Sequence, residues 1–392
     1  MRSYVITIAE ADDTELALVD LKEQLSKVNL LKNTIGIVSV NPEYVQPGIY
    51  SAVAKAVPFP LVGMTTLSQT ANGKTGTFLL SIMALTSDTC EFAYGTSDII
   101  TKENDAVELT QKCYKNILSK LEGTVRLVFL YAPYTEYRCT NEYIRAISAV
   151  DGRVPVFGSL ANADMVNLFD EMKTICCERC FSDRLVMLLI SGDISPEFYI
   201  GSVSKEAVVM PDIGEVTDAR DNHVMKINDI SVGSFFEKIG YFVGDARNQG
   251  LLTSIFIVDT KDETGNIVSS TSRGILSLND EVVIFGGSVP VGSVLSLATT
   301  TKDIVLTTAK DVAAQIKENC SGKTVLMYSC IGRRFSLLDE PIREYEVLNE
   351  HLSNSGFNYL ASCSCGEICP TSVTETAAYN SEHNQALIAC VF

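Results

Sequence analysis

Thr324-Val325-Leu326-Met327-Tyr328 is an apolar run that passes straight into Ser329-Cys330-Ile331-Gly332-Arg333-Arg334. Further along, Tyr359-Leu360-Ala361 passes just as abruptly into Ser362-Cys363-Ser364-Cys365-Gly366-Glu367-Ile368-Cys369-Pro370. Short apolar runs bounded by small polar residues have the pattern of strands buried on both faces. Between them, Pro341 to Leu352 suits a helix with proline in its first turn. Strand, helix and strand in that order form a parallel, right-handed crossover. Ligands on such sheets bind beyond the carboxyl ends of the strands. The two polar segments therefore share one edge, and that edge is a candidate site.

The same order of elements occurs twice upstream. The first copy holds a short strand at residues 3–9 and a helix from Thr14 to Lys27, with Asp12 or Asp13 as N-cap. It continues with the strand Ile35–Val40, a helix at 43–55, and strands at Leu61–Met64 and Thr77–Leu85. The second copy holds strands at Glu91–Gly95, Val125–Tyr131, Val154–Gly158 and Arg184–Ile190, with helices at 105–121 and 141–150. A third pass begins near Ser293–Leu297, with Leu306, Ala309, Val312, Ala313 and Ile316 marking a helix face. Residues 206–291 are different: short strands, hairpin-type turns at Asp262–Gly265 and Leu278–Asp280, and one helix at 234–239. The expected fold is α/β. Three related strand–helix–strand–helix–strand–strand units form mixed sheets covered by helices, with a β-rich insert between the second and third. The expected domains are 1–225 and 226–392.

Composition narrows the function. A chain of 392 residues with 46% hydrophobic and 20% charged residues has ample core for two or three domains. The net charge of −17 argues against nucleic acid or an anionic membrane as partner. No stretch approaches the uninterrupted apolar length of a membrane span. Met1-Arg2-Ser3-Tyr4-Val5 lacks a signal-peptide core, so a cytoplasmic location is expected. Twelve cysteines in such a chain read as free thiols rather than a disulfide framework. Two clusters stand out: Cys176, Cys177 and Cys180, and Cys363, Cys365 and Cys369. Only Cys177–Cys180 has knuckle spacing, and no partner pair follows, so neither metal nor cofactor is expected.

The third-copy edge offers mixed chemistry. Arg333 and Arg334 present guanidinium forks suited to a carboxylate or phosphate. Glu367 can accept from an ammonium group, and small neighbours let backbone amides approach. Arginine plus glutamate is the pairing that an amino-acid-like ligand needs; the plainer reading is a surface ion pair worth under about 1 kcal/mol. In the second copy the same edge carries Tyr134–Arg138 and Ser159–Asp164; in the first, Asn41–Pro47 and Thr65–Gln69. Cys330 at a strand end could be a nucleophile, but only His223, His351 and His383 are available as base, and no spacing places one beside it.

At these residues the chain resembles the FIST family of sensory domains in bacterial signal transduction. The resemblance rests on Ser329-Cys330-Ile331-Gly332-Arg333, Gly366-Glu367-Ile368, His383-Asn384, Ser272-Arg273-Gly274-Ile275-Leu276 and Gly158-Ser159-Leu160-Ala161-Asn162-Ala163-Asp164. Two segments depart from the family pattern. Gly63-Met64-Thr65-Thr66-Leu67-Ser68-Gln69 lacks the usual acidic residue, and Ala361-Ser362-Cys363-Ser364-Cys365 replaces the usual aromatics.

The resemblance implies a stand-alone cytoplasmic sensor that binds an amino acid or small carboxylate and signals to a separate protein. It implies ligand contacts from Ser329, Cys330, Arg333, Gly366, Glu367, Gly158, Ser159, Asn162, Asp164, Arg273 and Asn384. Two other readings stand beside it: an enzyme using Cys330, and an interaction scaffold with a vestigial pocket.

Overall fold

The strands of the three units alternate their side chains between two cores, which explains their unbroken apolar runs. In the computed structural model, which describes residues 1–135, 138–163, 172–203, 207–240, 254–262, 264–319 and 322–392, each unit builds a sheet with helices on one face only. The first unit comprises β1 (Arg2–Ile8), α1 (Thr14–Leu25), β2 (Asn33–Val40), α2 (Ile49–Ala56), β3 (Leu61–Thr65), the hairpin β4 (Gln69–Ala71) and β5 (Lys74–Gly76), and β6 (Leu80–Ser87). The second comprises β7 (Glu91–Thr96), α3 (Ala106–Leu118), β8 (Val125–Ala132), α4 (Thr140–Val150), β9 (Val156–Leu160), the hairpin β10 (Thr174–Cys176) and β11 (Arg179–Phe181), and β12 (Val186–Ser191).

The third unit opens with β13 (Glu197–Gly201), which pairs with the chain's last strand. The insert follows that first strand rather than preceding the unit. It runs through β14 (Val208–Arg220), β15 (His223–Ile227), β16 (Ile230–Ser231), α5 (Val232–Lys238), β17 (Ser254–Lys261), β18 (Ile267–Leu278), β19 (Val283–Phe285) and β20 (Val294–Thr299). The segment expected to open the third copy, Ser293–Leu297, therefore pairs inside the insert sheet. Residue 225 lies within β15 of that sheet. An extra β14–β15 pairing closes the insert sheet on itself around Phe235, Phe236, Phe256 and Phe285. The third unit then resumes with α6 (Lys302–Asn319), β21 (Thr324–Cys330), α7 (Ile331–Ser336), α8 (Arg343–Leu352), β22 (Asn358–Ser364), the hairpin β23 (Glu367–Val373) and β24 (Ala378–His383), and β25 (Leu387–Val391).

Sheet order follows one rule in all three units: first strand, last strand, second, third, then a hairpin borrowed from another unit. The sheets run β1-β6-β2-β3-β10-β11, β7-β12-β8-β9-β23-β24 and β13-β25-β21-β22-β4-β5. Each unit thus donates its hairpin to a neighbour in cyclic order, and the three are laced together. Within each sheet only the β2–β3, β8–β9 and β21–β22 pairs are parallel, so the expected crossovers are present.

Alternation along the central strands sets the layers. Ile35 and Ile37 of β2, Leu127, Phe129 and Tyr131 of β8, and Leu326 and Tyr328 of β21 all point into one shared core. Their neighbours point outward under the helices: Val38 and Val40, Val128 and Leu130, Val325 and Met327. The Tyr131 and Tyr328 hydroxyls meet at 2.9 Å in the shared core and satisfy one another. Helix starts follow ordinary capping chemistry. Asp13 accepts from Glu15 N and Leu16 N, and Asp105 accepts from Val107 N and Glu108 N.

Candidate functional site

The Ser329–Arg334 segment, expected as a loop, is the end of β21 followed by the first turns of α7. Arg333 on that helix turns inward and is fully buried. Its Nε and Nη2 donate to Glu344 Oε1 at 3.0 and 2.6 Å, and Nη2 also donates to the Val305 carbonyl. Ser329 Oγ donates to Glu344 Oε2 at 2.7 Å. Ser329 and Arg333 thus belong to a buried ion-pair cluster with Glu344, in which Arg333 Nη1 lacks a partner among the described residues. Glu344 is the partner that sequence reasoning did not find, because it lies on the polar-looking helix between the two motifs.

Glu367 is likewise buried. Its carboxyl accepts from Ser364 Oγ and from Ala386 N, and burial holds its pKa well above the usual carboxylate range. The segment Ser362–Cys369 is not one loop either, since β22 continues to Ser364 and β23 begins at Glu367. Asn162 joins the three units where their third strands end. Its Nδ2 donates to Cys363 Sγ at 3.0 Å and its backbone N donates to Thr65 O at 2.9 Å. Gly158 lies against Leu130 of the parallel partner strand, and Ser159 Oγ donates to the Leu160 carbonyl. Asp164 lies outside the described residues.

The chemistry gathers instead at a cavity of about 170 Å³ enclosed by the second unit, the insert and the third unit. Tyr134, Arg138, Thr140 and Tyr143 form the wall from the second unit, and Ile275, Ile284 and Gly286 the wall from the insert. Cys330, Gly332, Cys365, Glu382, Asn384 and Gln385 complete it from the third unit. Of the expected contacts, Cys330 and Asn384 line this cavity. Arg273 and Gly366 stand directly behind it; Ser329, Arg333, Glu367, Gly158, Ser159 and Asn162 do not reach it.

Among the described residues, Glu382 Oε2, Asn384 Oδ1 and Arg138 Nε are buried polar atoms on this wall without a hydrogen-bond partner. Leaving such a group unmet costs about 1–3 kcal/mol, so their concentration on one cavity is informative. Tight backbone packing places them. A Cβ on Gly286 would stand 2.4 Å from Asn384 Oδ1, so the insert holds glycine where Asn384 enters. A Cβ on Gly366 would stand 3.2 Å from Glu382 Oε1. Arg273, buried behind the wall, donates through Nη1 to the Glu382 carbonyl at 3.0 Å and through Nε to Ser288 O at 3.2 Å.

Burial raises the Glu382 carboxyl to about 8, against the opposing pull of the Arg273 guanidinium and a bond from Thr140. Burial also lowers the Arg273 pKa. Arg138 is held by the carbonyls of Thr101, Lys102 and Asn104 through Nη2, and its Nη1 lies 3.6 Å from Glu142. Arg138 also lines the cavity.

The cavity thiols are protonated. Burial pushes Cys330 and Cys365 well above the ordinary thiol value and Cys139 up to about 12. His383 turns away; its Nε2 bonds the Cys369 carbonyl at 3.0 Å, and burial lowers its pKa to about 4. Among the described residues no group of three His, Cys, Asp or Glu side chains is arranged to hold a metal. Cys363, Cys365 and Cys369 are dispersed among an outer core, the cavity wall and the shared core. Glu382, Thr140 and Tyr143 were not legible as site residues, although Glu382 directly precedes the His383-Asn384 pair.

The described residues thus form three hairpin-laced α/β units with a closed β insert and a small, mostly apolar cavity at their junction. Comparison with known families then identifies the chain. The chain matches the FIST N domain over residues 34–230 and the FIST C domain over 246–370. It belongs to the FIST family, whose domains are sensory domains in signal transduction. Among solved structures, a crystal structure of cyanuric acid hydrolase from A. caulinodans aligns over 99% of this chain and 98% of that one, with 10% identity and a TM-score of 0.35. Curated proteins give no match. No helix among the described residues is long and apolar enough to cross a membrane.

Proposed function

We propose that this chain senses an amino-acid-like ligand in the cavity between the second unit, the insert and the third unit. The carrying observation is the pair of unmet acceptors, Glu382 Oε2 and Asn384 Oδ1, on one buried wall. An ammonium group supplies the donors that both lack. Arg138 Nε, the unmet donor on the same cavity, suits the ligand's carboxylate. The volume of about 170 Å³ lies below the range of about 300–1,000 Å³ typical for drug-sized ligands. A molecule of few heavy atoms therefore fits best. Because three separate elements supply the walls, an occupant couples the insert to the units and gives the sensor two states to report. The state passes to a separate signalling protein in a reducing, cytoplasmic compartment, where free thiols such as Cys330 and Cys365 persist.

A thermal-shift panel of amino acids, amines and small carboxylates tests this on the full chain. A ligand at about 100 times its Kd stabilises by about 2.7 kcal/mol. Glu382→Gln should abolish the shift while the protein still folds. Arg138→Met should weaken amino acids more than plain amines. A shift that survives in Glu382→Gln, or a panel without any shift, overturns the assignment. The reading as a cysteine enzyme has less support. The Cys330 thiol is held protonated, and no histidine lines the cavity among the described residues.

A further inference from the structure

The Cys176–Cys177 pair lies on another face of the molecule, where the β10–β11 hairpin of the second unit is laid into the sheet of the first. Cys176 pairs with Val62 of β3, and Cys177 N donates to Leu61 O at 2.7 Å. Both thiols are partly exposed, whereas Cys90, Cys113, Cys330, Cys363, Cys369 and Cys390 are buried. Cys180 belongs to the same hairpin but faces the opposite side. It packs with the helix-side core of the first unit, while Cys176 packs against the shared core. The geometry therefore separates an adjacent pair from a third thiol that cannot join it.

Two features prepare Cys177. Its Sγ lies 3.8 Å from the Tyr94 hydroxyl, which becomes the donor once the thiol is ionised. Its backbone sits at φ 55°, in the left-handed region, where the matching hairpin of the first unit uses Asn72-Gly73. Tyr50 anchors that turn by donating its hydroxyl to the Cys177 carbonyl. A hydrogen bond from Cys176 lowers the Cys177 thiol to about 6, and Cys176 retains the proton of the pair. A thiolate with an adjacent protonated thiol is the arrangement of an attacking and a resolving cysteine.

We propose that Cys177 is a peroxide-reactive thiol and that Cys176 resolves it to a disulfide between the two neighbouring residues. In the first step the Cys177 thiolate attacks a hydroperoxide. An S–O bond forms, the O–O bond breaks, and the departing alkoxide or hydroxide takes a proton from solvent to leave as alcohol or water; sulfur is oxidised and peroxide reduced. In the second step Cys176 sulfur attacks Cys177 sulfur. The S–S bond forms, the S–O bond breaks, and water leaves with the Cys176 proton. The resulting ring constrains the peptide that carries the Leu61 and Tyr50 contacts, so oxidation is felt at the seam between the first and second units. This site is independent of the ligand cavity.

Hydrogen peroxide titration of the reduced full-length chain, followed by thiol alkylation and peptide mass analysis, tests the proposal. Cys177 should oxidise at least about tenfold faster than Cys180 in the same chain. The peptide holding residues 176–177 should become lighter by two hydrogen atoms and resist alkylation until a dithiol reductant is added. Cys176→Ser should leave Cys177 as a sulfenic acid that a dimedone probe traps. Cys177→Ser should abolish both products, and Cys180→Ser should change neither. Equal oxidation of Cys177 and Cys180, a disulfide to Cys180, or a disulfide between two chains in place of the internal one overturns it.

Discussion

Two buried polar clusters flank the end of β21, and they differ in whether the acceptors of their side chains are met by protein donors, Arg333 Nη1 being the unmet donor of the first. Around Glu344, both carboxylate oxygens are engaged by Arg333 and Ser329, with side-chain exposures of 0% for Arg333 and 2% for Glu344. Around Glu382 and Asn384, one acceptor on each side chain has no donor and faces a cavity. The first cluster joins α7 to α8 through the Arg333–Glu344 pair. The second has room and unmet valence for something from outside. Motif residues and cavity-lining residues therefore overlap only in part: Cys330 and Asn384 line the cavity, and Arg333 does not. The arginine that the pattern Ser-Cys-x-Gly-Arg brings forward is buried against Glu344, and the acidic residue that lines the cavity is Glu382, next to the His383-Asn384 pair.

Breaking the first cluster should have the largest effect. Removing one partner of a buried ion pair leaves an uncompensated charge and costs about 3–5 kcal/mol. Arg333→Ala should lose stability on that scale in urea denaturation, and Arg333→Met with Glu344→Leu should recover most of it. A loss under about 1 kcal/mol for Arg333→Ala would instead mark a solvent-screened pair. Asn162 offers a smaller break in a third cluster. Asn162→Ala removes the bond to Cys363 Sγ and should cost about 1–3 kcal/mol without changing ligand response.

The open cluster can be read by pH. Burial raises Glu382 from 4.5 to about 8. Between those values the folded state holds a proton that the unfolded state has released. Stability from this group is therefore highest at low pH, falls as pH rises through that window, and is flat above about 8. The slope is at most about 1.4 kcal/mol per pH unit. Glu367 adds a slope of the same sign, so the informative quantity is the difference between wild type and Glu382→Gln. The variant should gain on the wild type as pH rises. Parallel stability curves would show that Glu382 is solvated and the cavity wall is not closed around it.

Much of the fold was legible because the central strands are buried on both faces. A run such as Val125–Ala132 has few other places to go, and Asp13 and Asp105 announce their helices by ordinary capping chemistry. The swapped hairpins were not legible. Gln69–Ala71 and Thr174–Cys176 are three residues long, and two of the three residues of β4 are polar. They are strands only because another unit offers them an edge. The position of the insert was hidden for the same reason. Glu197–Gly201 resembles Glu91–Gly95 in pattern, but only pairing with β25 shows that it opens the third unit. Of the cavity-lining residues, Cys330 and the segment holding Tyr134 and Arg138 were named from their strand-end positions, and Asn384 from the family resemblance. Glu382 was not, because a lone glutamate before a histidine carries no local mark of burial.

From residue order alone the protein has three α/β units, parallel crossovers inside each, a β-rich insert and a family resemblance carried by short motifs. Periodicity and capping act over a few residues, so a linear reading contains them. Tertiary structure decided which hairpin joins which sheet, that Arg333 is matched by Glu344, and that Glu382 and Asn384 meet Arg138 across a cavity. Those outcomes depend on edges and unmet hydrogen bonds brought together from distant parts of the chain, and no local pattern encodes whether a buried charge finds its partner.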